Sequence, residues 1–277
     1  MAGTLYVVAT PLGNLGDLSP RAADTLKRVA VVVAEDTRHS KPLLTHAGSH
    51  AELVSFHAHS SERALERILR ILAEGRDVAL ITDAGTPAIS DPGVALVAGA
   101  RERGIQVVTI PGPTAVAASL SVSGIGGDRY LFLGFLPRKG SDRRRLLLTA
   151  AQSEWTVVIF EAPNRVPQLL TDLAEVCGPD RQVAVSRELT KVFEETRAGT
   201  LQDLSEHYAD APVRGEVTVV LAGTGKQHVE ERPPPPDPAA RAKALLEEGL
   251  SRKDVAHRLA EETGISRNSA YRLVSEL

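Results

Sequence analysis

Cysteine, tryptophan and methionine are almost missing from this chain: there is one of each in 277 residues, and aromatic residues make up only 4%. With Cys177 alone, no disulfide can close within the chain and no cysteine-rich zinc site can be built. Its thiol reads as a small buried apolar group rather than a nucleophile. No apolar run approaches the roughly 18 residues of a membrane span. The N-terminus lacks the charged-then-apolar order of a secretory signal, so a cytoplasmic protein is expected. A large excess of either charge is also missing. Lys and Arg number 32 against 35 Asp and Glu, a formal net charge of −3. The molecule as a whole therefore does not attract nucleic acid, and any such contact must rest on a local patch.

What is present is an ordinary globular balance, 43% hydrophobic and 24% charged. It is punctuated by loops rich in Gly, Pro and Thr. The most informative is LITDAGTPAISDPG at 80–93, which follows a short apolar run at 78–81. Such a run reads as a parallel strand covered on both faces. In open α/β sheets ligands bind at the carboxyl ends of the strands, where this loop falls. Its glycines permit close backbone approach, and Pro87 and Pro92 limit the entropy lost on ordering. The same construction recurs after the apolar run at 6–9, in Thr10, Pro11, Leu12, Gly13 and Asn14. It recurs again after 107–110, in Pro111, Gly112, Pro113, Thr114 and Ala115. Three strand ends with few bulky side chains leave a cavity shaped by backbone for a medium-sized cofactor.

Strands are expected at 5–9, 30–34, 53–56, 77–82 and 106–110, alternating with helices, in a mostly parallel sheet. Ser19 and Pro20 read as the N-cap and first residue of one helix. Ala64, Leu65, Ile68, Leu69 and Leu72 follow helical spacing in another, which Gly75 ends. A second α/β unit has strands near 130–135, 156–160, 182–186 and 216–222. The expected organisation is an N-terminal α/β domain at 1–113 and a C-terminal α/β domain at 114–225. A Pro-rich linker at 226–238, carrying four consecutive prolines at 233–236, leads to a helical module at 239–277. That module has the rhythm of a helix-turn-helix, with Gly264 in the turn and Ser266 as the cap. Its acidic and basic residues nearly balance, so it lacks the phosphate grip of a specific DNA reader. A docking module or a weak RNA contact is the reading it supports.

Four polar groups carry two readings each. Glu35, Asp36, Thr37, Arg38 and His39 follow a buried strand, either facing a substrate or capping the next helix. Arg187, Glu188, Leu189, Thr190 and Lys191 hold the equivalent place in the second unit. His57 and His59, two apart, form a polar or RNA-facing pair or half of a metal site. They have no companion ligand at suitable spacing, so no metal is expected. Between Arg138 and Arg145 lie five cations and one anion, Arg138, Lys139, Arg143, Arg144 and Arg145 with Asp142. Cations at a helix start oppose the helix dipole, which points to a phosphate partner over a merely solvated face.

The ordered motifs LYVVATPLGNLGDLSPRA, VVAEDTRHS, ITDAGTPAISDPG, IPGPTA, FLGFLPRK, FEAPNRV, RELTKVFEE and RGEVTVVLAG span residues 4–223. This series resembles the tetrapyrrole methylase superfamily, and within it the small-subunit ribosomal RNA cytidine 2′-O-methyltransferases. The resemblance implies two α/β domains with the cofactor cleft between them, S-adenosylmethionine as methyl donor, and a homodimer. It implies 2′-O-methylation of a cytidine in the decoding region of 16S rRNA, with the RNA met within the small ribosomal subunit. Carried over by position, it places the donor around Pro11, Ala84, Gly85, Thr86, Ile89, Thr114 and Ala115. Glu161, Ala162 and Gly215 close the pocket from the second domain. Ala9, Ser60 and Asn164 depart from the usual pattern.

Removing the proton of a ribose hydroxyl calls for a base or a cation. Asp36 or Glu188 is the expected acceptor, with Arg38 or Lys191 holding phosphate or the developing oxyanion. Arg38 and the cations at 138–145 are the expected RNA contacts. Two alternatives stay open at this point: a methylase of a tetrapyrrole or other small molecule, and a nucleotide-sensing DNA-binding regulator.

Overall fold

A computed structural model describes residues 2–57, 60–90, 93–209, 213–225, 238–263 and 267–275. His59, Asp91, Pro92, residues 226–237 of the expected linker and the turn at 264–266 lie outside the described residues. The chain divides into two compact units, Met1–Gly223 and Thr224–Leu277. The first holds both α/β parts, so the expected boundary at 113 separates two sheets packed within a single unit.

The first sheet contains β1 (Thr4–Val8), β2 (Val31–Ala34), β3 (Glu52–Ser55), β4 (Val78–Leu80) and β5 (Gln106–Ile110). Their order is β3-β2-β4-β1-β5, and every pairing is parallel. The apolar runs VVVA of β2 and VAL of β4 are buried at every residue, as central strands covered on both faces must be. Helices α1 (Pro20–Arg28) and α2 (Thr37–Ala47) cover one face through Leu26, Leu43 and Leu44. Helices α3 (Glu62–Ala73) and α4 (Val94–Glu102) cover the other through Ile68, Leu72 and Leu96. Local chemistry starts these helices where the sequence indicates. The Ser19 hydroxyl accepts from the Ala22 amide at 3.1 Å, with Pro20 in the first turn, and Ser61 does the same for Ala64 at 3.3 Å.

Helix α5 (Ala115–Ser123) leads to the second sheet, built from β6 (Tyr130–Phe135), β7 (Thr156–Glu161), β8 (Gln182–Arg187), β9 (Glu195–Thr200) and β10 (Val217–Leu221). The order is β6-β7-β10-β8-β9. Only β6 and β7 run parallel; β10 is antiparallel to both its neighbours, and β8 to β9. Helices α6 (Ser141–Gln152), α7 (Val166–Cys177) and α8 (Leu201–Ala209) enclose a core of Leu147, Leu169, Leu173, Leu204 and Val219. Cys177 packs against this core half-buried, and burial pushes its thiol up from the ordinary range. That fits the apolar role expected of it.

The second unit contains α9 (Pro238–Glu247), α10 (Arg252–Thr263) and α11 (Arg267–Ser275). They bury Ala242, Leu245, Val255, Ala256, Leu259, Ala270 and Val274 together. Among the described residues no helix is long and apolar enough to cross a membrane.

Candidate active site

The loops that end β1, β4 and β5 are tied to one another by backbone. The Thr10 amide donates to the Gly85 carbonyl at 2.8 Å, and the Gly85 amide returns a bond to Thr10 at 3.1 Å. The Thr10 hydroxyl donates to the Thr82 carbonyl at 3.0 Å, and the Thr86 hydroxyl to the Pro113 carbonyl at 3.2 Å. These bonds satisfy buried polar groups and fix three Gly/Pro loops as one wall. Gly85 sits at φ +81°, with Leu12 and the Pro113 carbonyl close to where a Cβ would stand. Among the described residues, four other than glycine have positive φ: Ala88, Ser90, Glu188 and Thr190. All lie in the loops after β4 and β8, and such strain gathers at ligand sites.

A cavity of about 350 Å³ opens between this wall and the second sheet. It is lined by Ala84, Gly85, Thr86, Ile89, Thr114 and Ala115 on one side, and by Glu161, Ala162 and Gly215 on the other. The sequence singled out all nine. Pro11, the tenth expected donor contact, is buried beside Thr10 but is not in the lining. The walls also include Glu35, from the polar group that the sequence read as either facing a substrate or capping a helix, and Asp83, from the loop it singled out; Phe135 and Phe160 were not picked out. The mixture of small residues, apolar walls and few polar groups suits a medium-sized polar molecule.

Glu161 is 1% exposed. Its Oε1 accepts from the Ala162 amide at 2.8 Å and pairs with Arg165, whereas Oε2 has no hydrogen-bond partner among the described residues. Arg143 lies behind it, with Nη1 4.0 Å from Glu161 Oε2. This arginine corrects the sequence reading. Expected to face RNA, it is buried, donating to Asp172 at 2.9 and 2.5 Å and to the Pro137 carbonyl at 3.2 Å. The reason is helical phase: Arg143, Leu147 and Ala150 share the inward face of α6. Arg138, Lys139, Arg144 and Arg145 remain exposed, the last pairing with Asp142.

The expected proton acceptors are committed elsewhere. Asp36 is outside the cavity lining and caps α2, accepting from the Arg38 amide at 2.8 Å. The Arg38 side chain also donates to Asp36, at 2.9 Å from Nη2, and together these bonds hold the Asp36 carboxyl down to about 2. A carboxylate stabilised that far is a weak base. Glu188 accepts from Lys191 Nζ at 2.9 Å, which lowers its carboxyl. Lys191 also donates to Glu216 at 3.1 Å. Burial disfavours its charge, but the two carboxylates outweigh that and raise its ammonium. The stem of Lys191 lies against Gly13, where a Cβ would collide with it.

Glu35 is different. It lines the cavity, and burial first, then Asp83, push its carboxyl above the ordinary value, with His57 opposing. Asp83 accepts from the Asp36 amide at 3.3 Å and lies 3.4 Å from His39 Nδ1. The only sequence signal for Glu35 is its place at the end of an all-buried strand.

Gly215 has φ +80°, and its absent Cβ would stand within the Glu188 carboxylate. Gly215→Ala should therefore cost on the order of 1–3 kcal/mol and push Glu188 off Lys191. Urea denaturation measures the cost; an unchanged midpoint would contradict this geometry.

The family model for Tetrapyrrole (Corrin/Porphyrin) Methylases matches residues 4–205, and the chain belongs to that family. A ribosomal RNA small subunit methyltransferase I of Synechocystis sp. is 43% identical over 99% of this chain and 98% of its own length. The protein so named in Xylella fastidiosa (strain Temecula1) is 44% identical over 97% of this chain and 98% of its own. The chain thus groups with the small subunit methyltransferase I proteins inside that family. Uroporphyrin-III C-methyltransferase from Thermus thermophilus, solved with S-adenosyl homocysteine, shares the fold at TM-score 0.59 and 20% identity. That match covers 79% of this chain and 97% of the other.

Proposed function

We propose that this protein transfers a methyl group from S-adenosylmethionine to the ribose 2′-oxygen of a cytidine in 16S rRNA. It acts in the cytoplasm on the small ribosomal subunit, as a homodimer. The observation that carries the reading is near-full-length identity above 40% to small subunit methyltransferase I relatives. The cavity supports it. The lining includes the buried carboxylate of Glu161 together with the small residues Ala84, Gly85, Ala115 and Gly215. Val192 and Phe193, exposed at 93% and 73%, offer apolar surface for a second copy.

When bound, the donor supplies a methyl already activated on a sulfonium. The protein's work is to align the acceptor, exclude water and take one proton. Thr86, Ala115 and Gly215 hold the donor by shape, and Glu35 accepts the proton of the ribose hydroxyl. Lys191 and Glu188 pin the loop after β8 against Gly13. Arg38, Arg138, Lys139, Arg144 and Arg145 remain proposed phosphate contacts.

Radiolabelled methyl transfer to undermethylated 30S subunits, followed by nuclease mapping, tests the proposal. Label is expected as 2′-O-methylcytidine in 16S rRNA. Label on a porphyrin precursor instead would move the reading to small-molecule methylation, and a specific DNA shift without transfer would make the chain a regulator.

A further inference from the structure

This chain has five phenylalanines, and three of them, Phe132, Phe135 and Phe160, cluster beside the cleft, which Phe135 and Phe160 line. The arrangement depends on a defect in β6. Tyr130, Leu131 and Phe132 pair in register with Thr156, Val157 and Val158 of β7, but Phe135 pairs with Phe160, where regular pairing would place Gly134. One extra residue is therefore inserted, and Gly134 takes φ +62° to absorb it. Bulges of this kind re-aim a side chain next to active sites. Here both Phe132 and Phe135 are brought edge-on to the Phe160 ring, at centroid distances of 4.8 and 5.6 Å.

Phe135 stays 57% exposed while lining the cavity, whereas Glu161 and Val217 in the same lining are 1% and 3% exposed. It stands at the mouth of the cleft, not at its floor. The chain beyond it is clamped from behind. Arg165 donates to the Leu136 carbonyl at 2.9 Å, and buried Arg143 to that of Pro137 at 3.2 Å. From there Arg138 and Lys139 emerge exposed, followed by Arg144 on the outer face of α6. A fixed aromatic ring at the mouth beside exposed cations has the chemistry of a single-stranded RNA contact, with one base stacked and flanking phosphates held.

We infer that Phe135 is the platform on which an unstacked base of the RNA acceptor rests, presenting its ribose to the cavity. The inference rests on the rRNA reading above and names the residue that seats the acceptor nucleotide. The experiment compares wild type with Phe135→Leu and Phe135→Tyr, measuring the KM for undermethylated 30S subunits. S-adenosylmethionine affinity is measured separately by calorimetry. Leucine keeps bulk but has no π-face, so the acceptor KM should rise about tenfold, the donor Kd should hold, and tyrosine should restore most of the loss. A weakened donor Kd with an unchanged acceptor KM would assign the ring to the donor and overturn the inference. So would two unchanged constants. If wild type binds donor but never labels rRNA, the functional reading itself fails, a result separate from any difference among the variants.

Discussion

Arg143→Ala should destabilise the first unit by about 3–5 kcal/mol, the cost of removing one partner from a buried ion pair. In a unit of this size that lowers Tm by on the order of 10 °C. The effect follows from position. Arg143 is 9% exposed and joins α6 to Asp172 on α7 and to the carbonyl of Pro137. Its loss leaves Asp172 without its cation and Glu161 with Arg165 alone. Arg144→Ala, one residue along and exposed, should move stability by no more than about 0.5 kcal/mol. Thermal unfolding of the two variants side by side decides the matter. Equal midpoints would mean that Arg143 belongs to the surface patch after all.

Glu35→Gln has the largest expected effect on turnover, a fall of about a hundredfold or more if its carboxylate takes the ribose proton. The pH dependence carries the sign. Glu35 works only when ionised, and burial and Asp83 raise its carboxyl, so the wild-type rate should climb with pH through that raised value and then level. The glutamine variant should lose this limb. Stability should respond in the opposite sense. A carboxyl raised in the folded state makes the fold less stable as pH rises through that value, because ionisation is resisted there. Glu35→Gln should therefore melt at or above the wild-type temperature at neutral pH. The gap should close as pH falls through the raised value toward 4.5, the ordinary one. A wild-type rate in Glu35→Gln would return the search to other groups. A lower Tm at neutral pH would make Glu35 a structural residue.

The first sheet was legible because its strands are continuous apolar runs between Gly and Pro loops. The expected span 106–110 coincides with β5, and 30–34 differs from β2 by one residue. The cavity was legible because small residues at three strand ends can only leave space. Strand β9 was not seen: ETRAGT is polar, and only pairing with β8 makes it a strand. Arg143 was lost among like charges, although its spacing of four from Leu147 gave its direction. Glu35 and Asp36 are neighbours with opposite shifts, one raised by burial and one lowered by Arg38. Adjacent carboxylates in a sequence look alike until the fold decides which of them loses water. The aim of Phe135 was hidden too, since a one-residue register shift is a property of two strands.

Strand β10 is the last of its sheet to be synthesised, yet it lies between β7 and β8 with all five residues buried. The first sheet, by contrast, has its full set of strands once the chain reaches Ile110. On a growing chain the second half of the molecule must therefore wait with a slot open at its centre, its flanking strands showing unpaired edges on both sides. A chain ended by a premature stop or a cut before Val217 would not be a shortened enzyme. It would be a completed first sheet joined to a split one, poised to accept a strand from another molecule.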